Sequence, residues 1–163
     1  MFTTEIFQSS SFSWEEVKER VIFLEREAFE NNAFPAEELT LDFLNKNNII
    51  VLLKNTELNE VVGFVYAKPI EEAESSRSNE KGETAYLWDI VIKKEYRGRH
   101  LTGILMERIE GELKKMNYKY IDLCAVTANN FSDNISKVYK ERIIKSEPLD
   151  SKWGPQVFFR IKL

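Results

Sequence analysis

One segment constrains the fold more than any other: an apolar strand-like stretch, a short basic turn and a helix-like stretch follow directly on one another. The strand-like stretch covers residues 84–92, the turn reads Tyr-Arg-Gly-Arg-His-Leu-Thr-Gly over 96–103, and apolar residues then recur at helical spacing as far as Met116. A helix that begins in this way leaves its first backbone N–H groups free, and its dipole favours a negative charge beside them. The sequence therefore predicts an anion site at the start of this helix, with a solvated basic loop as the alternative.

Apolar spacing and β-branched runs predict further helices and strands on both sides of this segment. Before the turn, the predicted elements are a strand at 3–8, a helix that begins after Ser13, a helix with Pro35 in its first turn, and a hairpin with strands at 49–53 and 61–67. After the helix, they are a strand at 120–126, a helix near 133–142, an apolar pair at 143–144 and a terminal strand at 157–163. This order predicts a single α/β domain over residues 1–163, with a mixed sheet covered by helices and a mobile surface loop at 71–82.

Three of the predicted helices carry signals for their ends or their buried faces. Ser13 followed by Glu16 has the spacing of a capping box at the start of the first helix. The second predicted helix is expected to bury Leu39, Phe43 and Leu44. The helix after the turn is expected to bury Leu101, Ile104, Leu105, Ile109, Leu113 and Met116.

Composition and charge exclude several classes of protein. The formal net charge is -4 with no block of basic residues, which disfavours binding to a nucleic-acid backbone. Cys124 is the single cysteine, so no internal disulfide forms, and no apolar run is long enough to cross a bilayer. The N-terminus lacks the features of a secretion signal. We therefore expect a cytoplasmic protein with no nucleic-acid or membrane partner.

Two nucleotide-binding motifs are also excluded. The chain has no G-x-G-x-x-G fingerprint of a dinucleotide-binding fold. Gly98 and Gly103 have the spacing of P-loop glycines, but Ile104 and Leu105 stand where the lysine and the hydroxyl residue would be. Hydrolysis of a nucleoside triphosphate is therefore not expected at this turn.

The turn and its neighbours resemble the acyl-CoA signature of the GNAT acetyltransferase superfamily. The resemblance rests on residues 90–92 (Ile-Val-Ile), 93–96 (Lys-Lys-Glu-Tyr) and 97–102 (Arg-Gly-Arg-His-Leu-Thr), which follow a family pattern of strand, short turn and R-x-x-G-x-G/A opening a helix. His100 and Thr102 stand where the family usually has glycines. The resemblance implies a central, mostly antiparallel sheet that is splayed between its fourth and fifth strands and flanked by about four helices.

The same resemblance implies that acetyl-CoA binds as a co-substrate, and no metal is expected. The pyrophosphate would lie on the backbone N–H groups of the turn, the pantetheine arm would pair with strand four, and Asn130 would hydrogen-bond a pantetheine amide. The residues implied in cofactor binding are Ile90, Val91, Ile92, Arg97, Gly98, Arg99, His100, Leu101, Thr102, Gly103 and Asn130. Asn130 also has helix capping as an alternative role.

For the chemical step, the resemblance implies an amine that attacks the thioester directly. Tyr139, in the region of the family's helical tyrosine, would protonate the departing thiolate, with packing on a helix as its alternative role. Glu83 at the start of strand four, or Asp89 within it, would take the proton from the amine, and both are equally candidates for solvated carboxylates. His100 is the only histidine, and its place in the turn favours an anion contact or simple exposure. Cys124 is expected to be a buried small hydrophobe.

Three functions remain open at this point. The favoured one is N-acetyl transfer from acetyl-CoA to a primary amine of a small molecule or a protein, with the acceptor side formed by the first two helices and residues 147–156. The second is a non-catalytic acyl-CoA-binding or regulatory module on the same fold, and the third is an interaction domain without a ligand. The oligomeric state is open, a homodimer included.

Overall fold

The computed structural model describes residues 1–10, 12–73, 82–128 and 130–163. These residues form a mixed α/β fold, as the sequence predicts, with strand β4 parallel to β5 and the other described strand pairs antiparallel. The helices and strands of the described chain are β1 (Phe2–Ile6), α1 (Trp14–Phe29), α2 (Ala36–Leu44), β2 (Ile49–Asn55), β3 (Glu60–Pro69), β4 (Thr84–Ile92), α3 (Leu101–Lys115), β5 (Tyr120–Val126), α4 (Phe131–Val138), β6 (Ile143–Ser151) and β7 (Gly154–Lys162).

The chain divides into two compact units. The first contains residues 1–68 and 88–112, and the second contains residues 69–87 and 113–163. Strand β4 contributes its second half to the first unit and its first half to the second. The single domain predicted over the whole chain therefore stays a prediction.

In the first unit, strands follow one another in the order β1-β2-β3-β4. Its core cluster joins α1 and α2 with the inner faces of β2, β3 and β4. Side chains with at most 2% exposure in this cluster include Val21, Leu24, Leu39, Phe43, Phe64 and Tyr66. The N-terminal end of α1 is fixed as predicted, because both the N–H and the hydroxyl of Ser13 donate to Glu16 Oε2, at 2.6 and 2.8 Å.

Strand β4 lies very close to β3 in this unit. A Cβ atom added to Gly63 would stand 2.6 Å from the Val91 carbonyl oxygen. The N–H of Lys93 donates to the Val62 carbonyl at 2.9 Å at the end of the same strand. Glycine at position 63 therefore allows the backbone approach that holds the second half of β4 in place.

In the second unit, strands follow one another in the order β4-β5-β7-β6. The parallel ladder between β4 and β5 has only three pairs, from Thr84↔Tyr120 to Tyr86↔Asp122, although both strands continue beyond it. Two charge-assisted hydrogen bonds, both of 2.8 Å, join the Arg160 guanidinium to the Asp122 carboxylate in the interior. Each charge is thus compensated where it is removed from water.

The predicted buried face of α2 is wrong at one position. Leu44 is 58% exposed, and Asp42 lies on the inner face instead. Helix geometry explains the difference, because at about 100° per residue Asp42 lies about 60° from Leu39, whereas Leu44 lies about 140° away.

The predicted face of α3 is wrong at two positions. Ile104 and Met116 are 41% and 53% exposed, while Met106 is buried at 2%. Ile104 points away from the other apolar residues around the helix axis, and Met116 lies just past the end of α3 at Lys115. The other four residues of the predicted face are buried: Leu101, Leu105, Ile109 and Leu113.

The ends of several predicted elements differ from the structure. Strand β1 covers Phe2–Ile6 rather than 3–8, and α4 ends at Val138 rather than near 142. Strand β6, predicted only as an apolar pair, runs for nine residues, and residues 147–156 fall in the β6–β7 hairpin. Of the predicted loop at 71–82, residues 74–81 lie outside the described chain.

Candidate functional site

The turn between β4 and α3 presents backbone N–H groups that no protein acceptor uses. The N–H of Gly103 donates to the His100 carbonyl at 3.1 Å. Within the described chain, the N–H groups of His100, Leu101 and Thr102 have no hydrogen-bond acceptor. Three adjacent free donors at the start of a helix can bind an anion, and the helix dipole strengthens the attraction.

His100 adopts a left-handed backbone conformation. Glycine adopts this conformation easily, which explains why the family usually has glycine at this position. The φ of His100 is 60°, and that of Gly98 is 77°. Among residues with a side chain, histidine tolerates this region better than most. Thr102 lies inside α3 and has no positive φ, so it needs no glycine for its backbone conformation.

Two glycines leave open space at this turn. A Cβ atom added to Gly98 or to Gly103 would meet nothing within 4 Å. Both positions of the turn therefore face open space in the described chain.

The basic side chains of the turn bind back to the protein. Arg97 Nε donates to the Ile92 carbonyl at 2.8 Å. The guanidinium of Arg99 lies 5.3 Å from the centre of the Tyr96 ring, and Tyr96 itself is buried and accepts from Asn55 Nδ2 at 3.3 Å. These contacts hold the turn in shape, and its free main-chain donors lie among them.

Asp89 lies in β4 among buried residues, directly before the segment 90–92. It is 6% exposed, and its Oδ1 accepts from the N–H of Ile90 at 2.7 Å. Burial and the neighbouring Glu25 carboxyl raise the pKa of Asp89 well above its ordinary value. Asp89 is therefore a buried carboxyl with a high proton affinity, and the alternative of a solvated carboxylate is wrong for this residue.

Glu25 on α1 is the partner that sequence reasoning missed. It is 0% exposed, and its Oε1 accepts from the N–H of Phe34 at 3.0 Å. Burial also raises the pKa of Glu25, and the neighbouring Asp89 side chain offsets part of that rise. Its sequence position carried a signal, because Glu25 follows Val21 by four residues and so falls on the buried face of its helix.

A second group of buried polar side chains lies in the same unit. Asp42 accepts from Tyr66 Oη at 2.9 Å and pairs with Lys68 Nζ at 2.7 Å. The Lys68 ammonium lies 4.0 Å from the Trp88 ring, and Trp88 stacks on Phe34 with a ring separation of 6.0 Å. Burial, together with the charges of Asp89 and Asp42, raises the pKa of Tyr66 well above its ordinary value. Aromatic and charged groups thus enclose the region around Asp89.

The remaining predicted site residues belong to the second unit. Glu83 forms an ion pair with Lys119, and its side chain is 44% exposed. Asn130 occupies the N-cap position of α4 with a φ of 59°, although its side chain makes no capping hydrogen bond. Tyr139 follows the last turn of α4, is 6% exposed, and has the Arg142 guanidinium 4.8 Å from its ring centre.

The structure thus groups the predicted residues by unit. Residues 89–92 and 97–103 belong to the first, whereas Glu83, Asn130 and Tyr139 belong to the second. Cys124, on β5, is half-buried. The described residues contain no group of three or more His, Cys, Asp or Glu that could hold a metal ion, and no described helix is long and apolar enough to cross a membrane.

Comparison with solved structures finds the same fold in several acetyltransferases. The ribosomal-protein-S18-alanine N-acetyltransferase from Escherichia coli shares 12% identity and a TM-score of 0.71, over 99% of this chain and 94% of that one. A GNAT family acetyltransferase from Elizabethkingia anophelis, solved with acetyl-CoA bound, shares 13% identity and a TM-score of 0.60, over 99% and 98%. A chimera of spermidine N-acetyltransferase SpeG from Vibrio cholerae and hSSAT shares 14% identity and a TM-score of 0.70, over 99% and 95%.

A search of curated proteins gives no significant match. At the level of sequence families, residues 7–134 match the family described as the Acetyltransferase (GNAT) family. This match covers most of the chain and includes α1 to β5 and the turn between β4 and α3. The chain therefore belongs to the GNAT acetyltransferase family.

Proposed function

We propose that this protein transfers an acetyl group from acetyl-CoA to a primary amine. The observation that carries the proposal is the set of three adjacent free N–H groups at His100, Leu101 and Thr102, in a member of an acetyltransferase family. Free donors at a helix N-terminus fit the pyrophosphate of acetyl-CoA, and the open space beside Gly98 and Gly103 leaves room for it. Bound acetyl-CoA would supply the acetyl group as a thioester.

Strand β4 supports the proposal at the other end of the cofactor. Its ladder with β5 stops at Tyr86, so the backbone of residues 90–92 has no ladder partner on β5. An amide-rich pantetheine arm can pair with such an edge as an added strand does. The N–H of Ile90 is held by Asp89 Oδ1, so the arm would use that donor only after the carboxyl group turns away. We propose that Asn130 hydrogen-bonds a pantetheine amide.

Asp89 is favoured over Glu83 as the proton acceptor. The Glu83 carboxylate is engaged by Lys119, and its side chain is 44% exposed. Burial and the Glu25 carboxyl raise the pKa of Asp89, and a carboxylate with a raised pKa takes a proton from an ammonium group more readily near neutral pH. We therefore assign to Asp89 the proton that leaves the acceptor amine.

Tyr139 is the proposed proton donor for the departing thiolate. Its burial at 6% exposure is compatible with a hydroxyl that faces a partner rather than bulk water. The proton transfers balance as follows. The ammonium form of the acceptor gives its first proton to Asp89, and the leaving sulfur takes the proton of the Tyr139 hydroxyl. The nitrogen then gives its second proton to the Tyr139 phenolate as the amide forms, so that only Asp89 is left with an added proton.

The acceptor is proposed as a primary amine of a small molecule or a protein. By their names, one structural neighbour acts on the alanine of a ribosomal protein and another on spermidine. A cytoplasmic location and a homodimer are part of the same proposal. The second candidate, a non-catalytic acyl-CoA-binding module, is favoured by His100 at a glycine position and by the Asp89 carboxyl on the Ile90 N–H.

Two measurements separate these functions. Calorimetric titration with acetyl-CoA should give saturable binding, and its absence at millimolar cofactor would leave only an interaction domain. Release of free thiol with a panel of amines should then accompany acetylation of at least one of them. Binding without thiol release from any amine would favour the non-catalytic module.

A further inference from the structure

We infer that Glu25 and Asp89 share a single proton, and that Glu25 is thereby a positioning residue for Asp89. The positioning role rests on the proposed function, whereas the shared proton does not. The two residues come from different elements of the first unit, with Glu25 on α1 and Asp89 on β4. Neither sequence motif nor spacing links them, and packing alone brings them together.

The hydrogen bonds around the two carboxyl groups indicate which oxygens face each other. Glu25 Oε1 accepts from the Phe34 N–H, and Asp89 Oδ1 accepts from the Ile90 N–H. The other oxygens, Glu25 Oε2 and Asp89 Oδ2, are buried and receive no N–H or hydroxyl donor in the described chain. The pKa of each carboxyl group depends on the other, so the two side chains lie together. We assign the contact between them to these two oxygens, which have no other partner among the described residues.

A hydrogen bond between two carboxyl groups requires a proton on one of them. Two carboxylates would present only acceptors to each other, and two like charges would repel strongly away from water. The other ionisable groups around the pair do not compensate two negative charges. Glu38 and Asp42 on α2 are acidic, and Tyr66 on β3 is a phenol. The nearby cation, Lys68, is already paired with Asp42. One proton held between Glu25 and Asp89 removes the repulsion and satisfies both free oxygens.

This arrangement gives Glu25 a defined effect on the proposed reaction. With one proton shared, the pair carries one negative charge and can accept one more proton from the ammonium form of the acceptor. After that transfer the amine is neutral and the pair holds two protons, so charge and protons balance. Glu25 does not touch the acceptor in this scheme. It acts through Asp89, by setting how firmly Asp89 holds a proton.

The variant Glu25→Gln tests the shared proton directly. Its amide oxygen can still accept from Phe34, and its amide nitrogen can donate to Asp89 Oδ2 as a protonated Glu25 would. Infrared difference spectroscopy at neutral pH should show a protonated carboxyl C=O band in the wild type and its loss in E25Q. Glu19→Gln, which removes an exposed carboxylate from the same helix, is the matched control and should keep the band.

The positioning role is tested by the pH dependence of turnover. In E25Q, the acid limb of the kcat profile should move to higher pH by about one unit, a roughly tenfold change in proton affinity, because an amide N–H stabilises the Asp89 carboxylate less than the shared proton does. KM for the amine should stay within a few fold, and E19Q should follow the wild type. A purely structural role for Glu25 would lower activity at every pH without moving this limb.

Each result decides one part of the inference. The absence of a protonated carboxyl band in the wild type, or its survival in E25Q, would overturn the shared proton. An unmoved acid limb in a folded E25Q would overturn the positioning role. Should E25Q not fold, Asp89→Asn offers the same spectroscopic test from the other side of the pair. A band that behaves as expected in a protein without turnover would leave the shared proton intact and count against the proposed function.

Discussion

His100 carries a side chain at a backbone position where glycine is the ordinary choice. Its φ of 60° lies in the left-handed region, which costs most residues about 1–2 kcal/mol. The turn nevertheless keeps three free backbone donors, so the departure from the family pattern does not remove the feature on which anion binding depends. The question at this scale is whether the imidazole also contacts the ligand.

The variant His100→Gly addresses that question. We expect the free energy of unfolding to rise by about 0.5 kcal/mol, because relief of the left-handed conformation slightly exceeds the greater chain entropy that glycine adds to the unfolded state. We expect acetyl-CoA to bind at least as tightly, because the backbone donors remain. Chemical denaturation and calorimetry measure the two effects. Weaker binding in H100G would show that the imidazole is a ligand contact.

Gly103 and Gly111 form a matched pair on α3. Neither has an atom within 4 Å of an added Cβ, so alanine at either position should stabilise the helix, by up to about 1 kcal/mol. Gly103 lies in the proposed anion site, and Gly111 lies two turns further along. We expect Gly103→Ala to weaken acetyl-CoA binding about tenfold, or about 1.4 kcal/mol, and Gly111→Ala to leave it unchanged. Equal affinities for both variants would place the ligand elsewhere.

At the scale of elements, the close approach of β3 and β4 positions the second half of β4. The Val91 carbonyl stands where a side chain at position 63 would begin. We expect Gly63→Ala to lower the free energy of unfolding by about 1–3 kcal/mol, because the backbone of β4 has to move aside. Denaturant unfolding measures the loss, with the stabilising G111A as a control of opposite sign. A variant as stable as the wild type would show that the strands separate easily here.

Several elements could be predicted from the sequence because their own residues determine them. Strand β4 begins and ends where its apolar stretch does, and α1 begins at the capping box of Ser13 and Glu16. The length of β6 is greater than its apolar pair at 143–144 predicts, because Pro148 and a row of exposed polar residues resemble a loop, a composition that an edge strand allows. Helix α4 is shorter than predicted, because residues 139–142 contain no glycine or proline that would mark its end after Val138.

Only the part of the candidate site whose residues are adjacent in sequence could be predicted. The free donors of the turn follow from a strand, a glycine-containing turn and a helix that are adjacent in sequence. Glu25 was not predictable as a partner of Asp89, because a single carboxyl on a helix face does not identify the strand residue that it meets. Long-range packing supplies that information, and so the state of Asp89 was open until the fold was known.

At the scale of the whole molecule, the buried carboxyl pair makes stability depend on pH. The folded state holds the proton of this pair more tightly than the unfolded chain does, since burial raises both pKa values and the Glu25 carboxyl raises that of Asp89 further. The pair therefore adds to the free energy of unfolding at low pH. This contribution should be lost as pH rises from the ordinary carboxyl range through the raised pKa. Unfolding by denaturant at a series of pH values should show this fall in the wild type and a smaller one in Glu25→Gln. Parallel curves for the two proteins would contradict it.

We propose that backbone N–H groups at the start of α3 hold the anionic part of acetyl-CoA. Nuclear magnetic resonance of the amide groups of His100, Leu101 and Thr102 during titration with acetyl-CoA tests it most directly. We predict that these three amide signals shift together and saturate at the concentration found by calorimetry. Saturable binding that leaves these three signals unmoved would contradict the account.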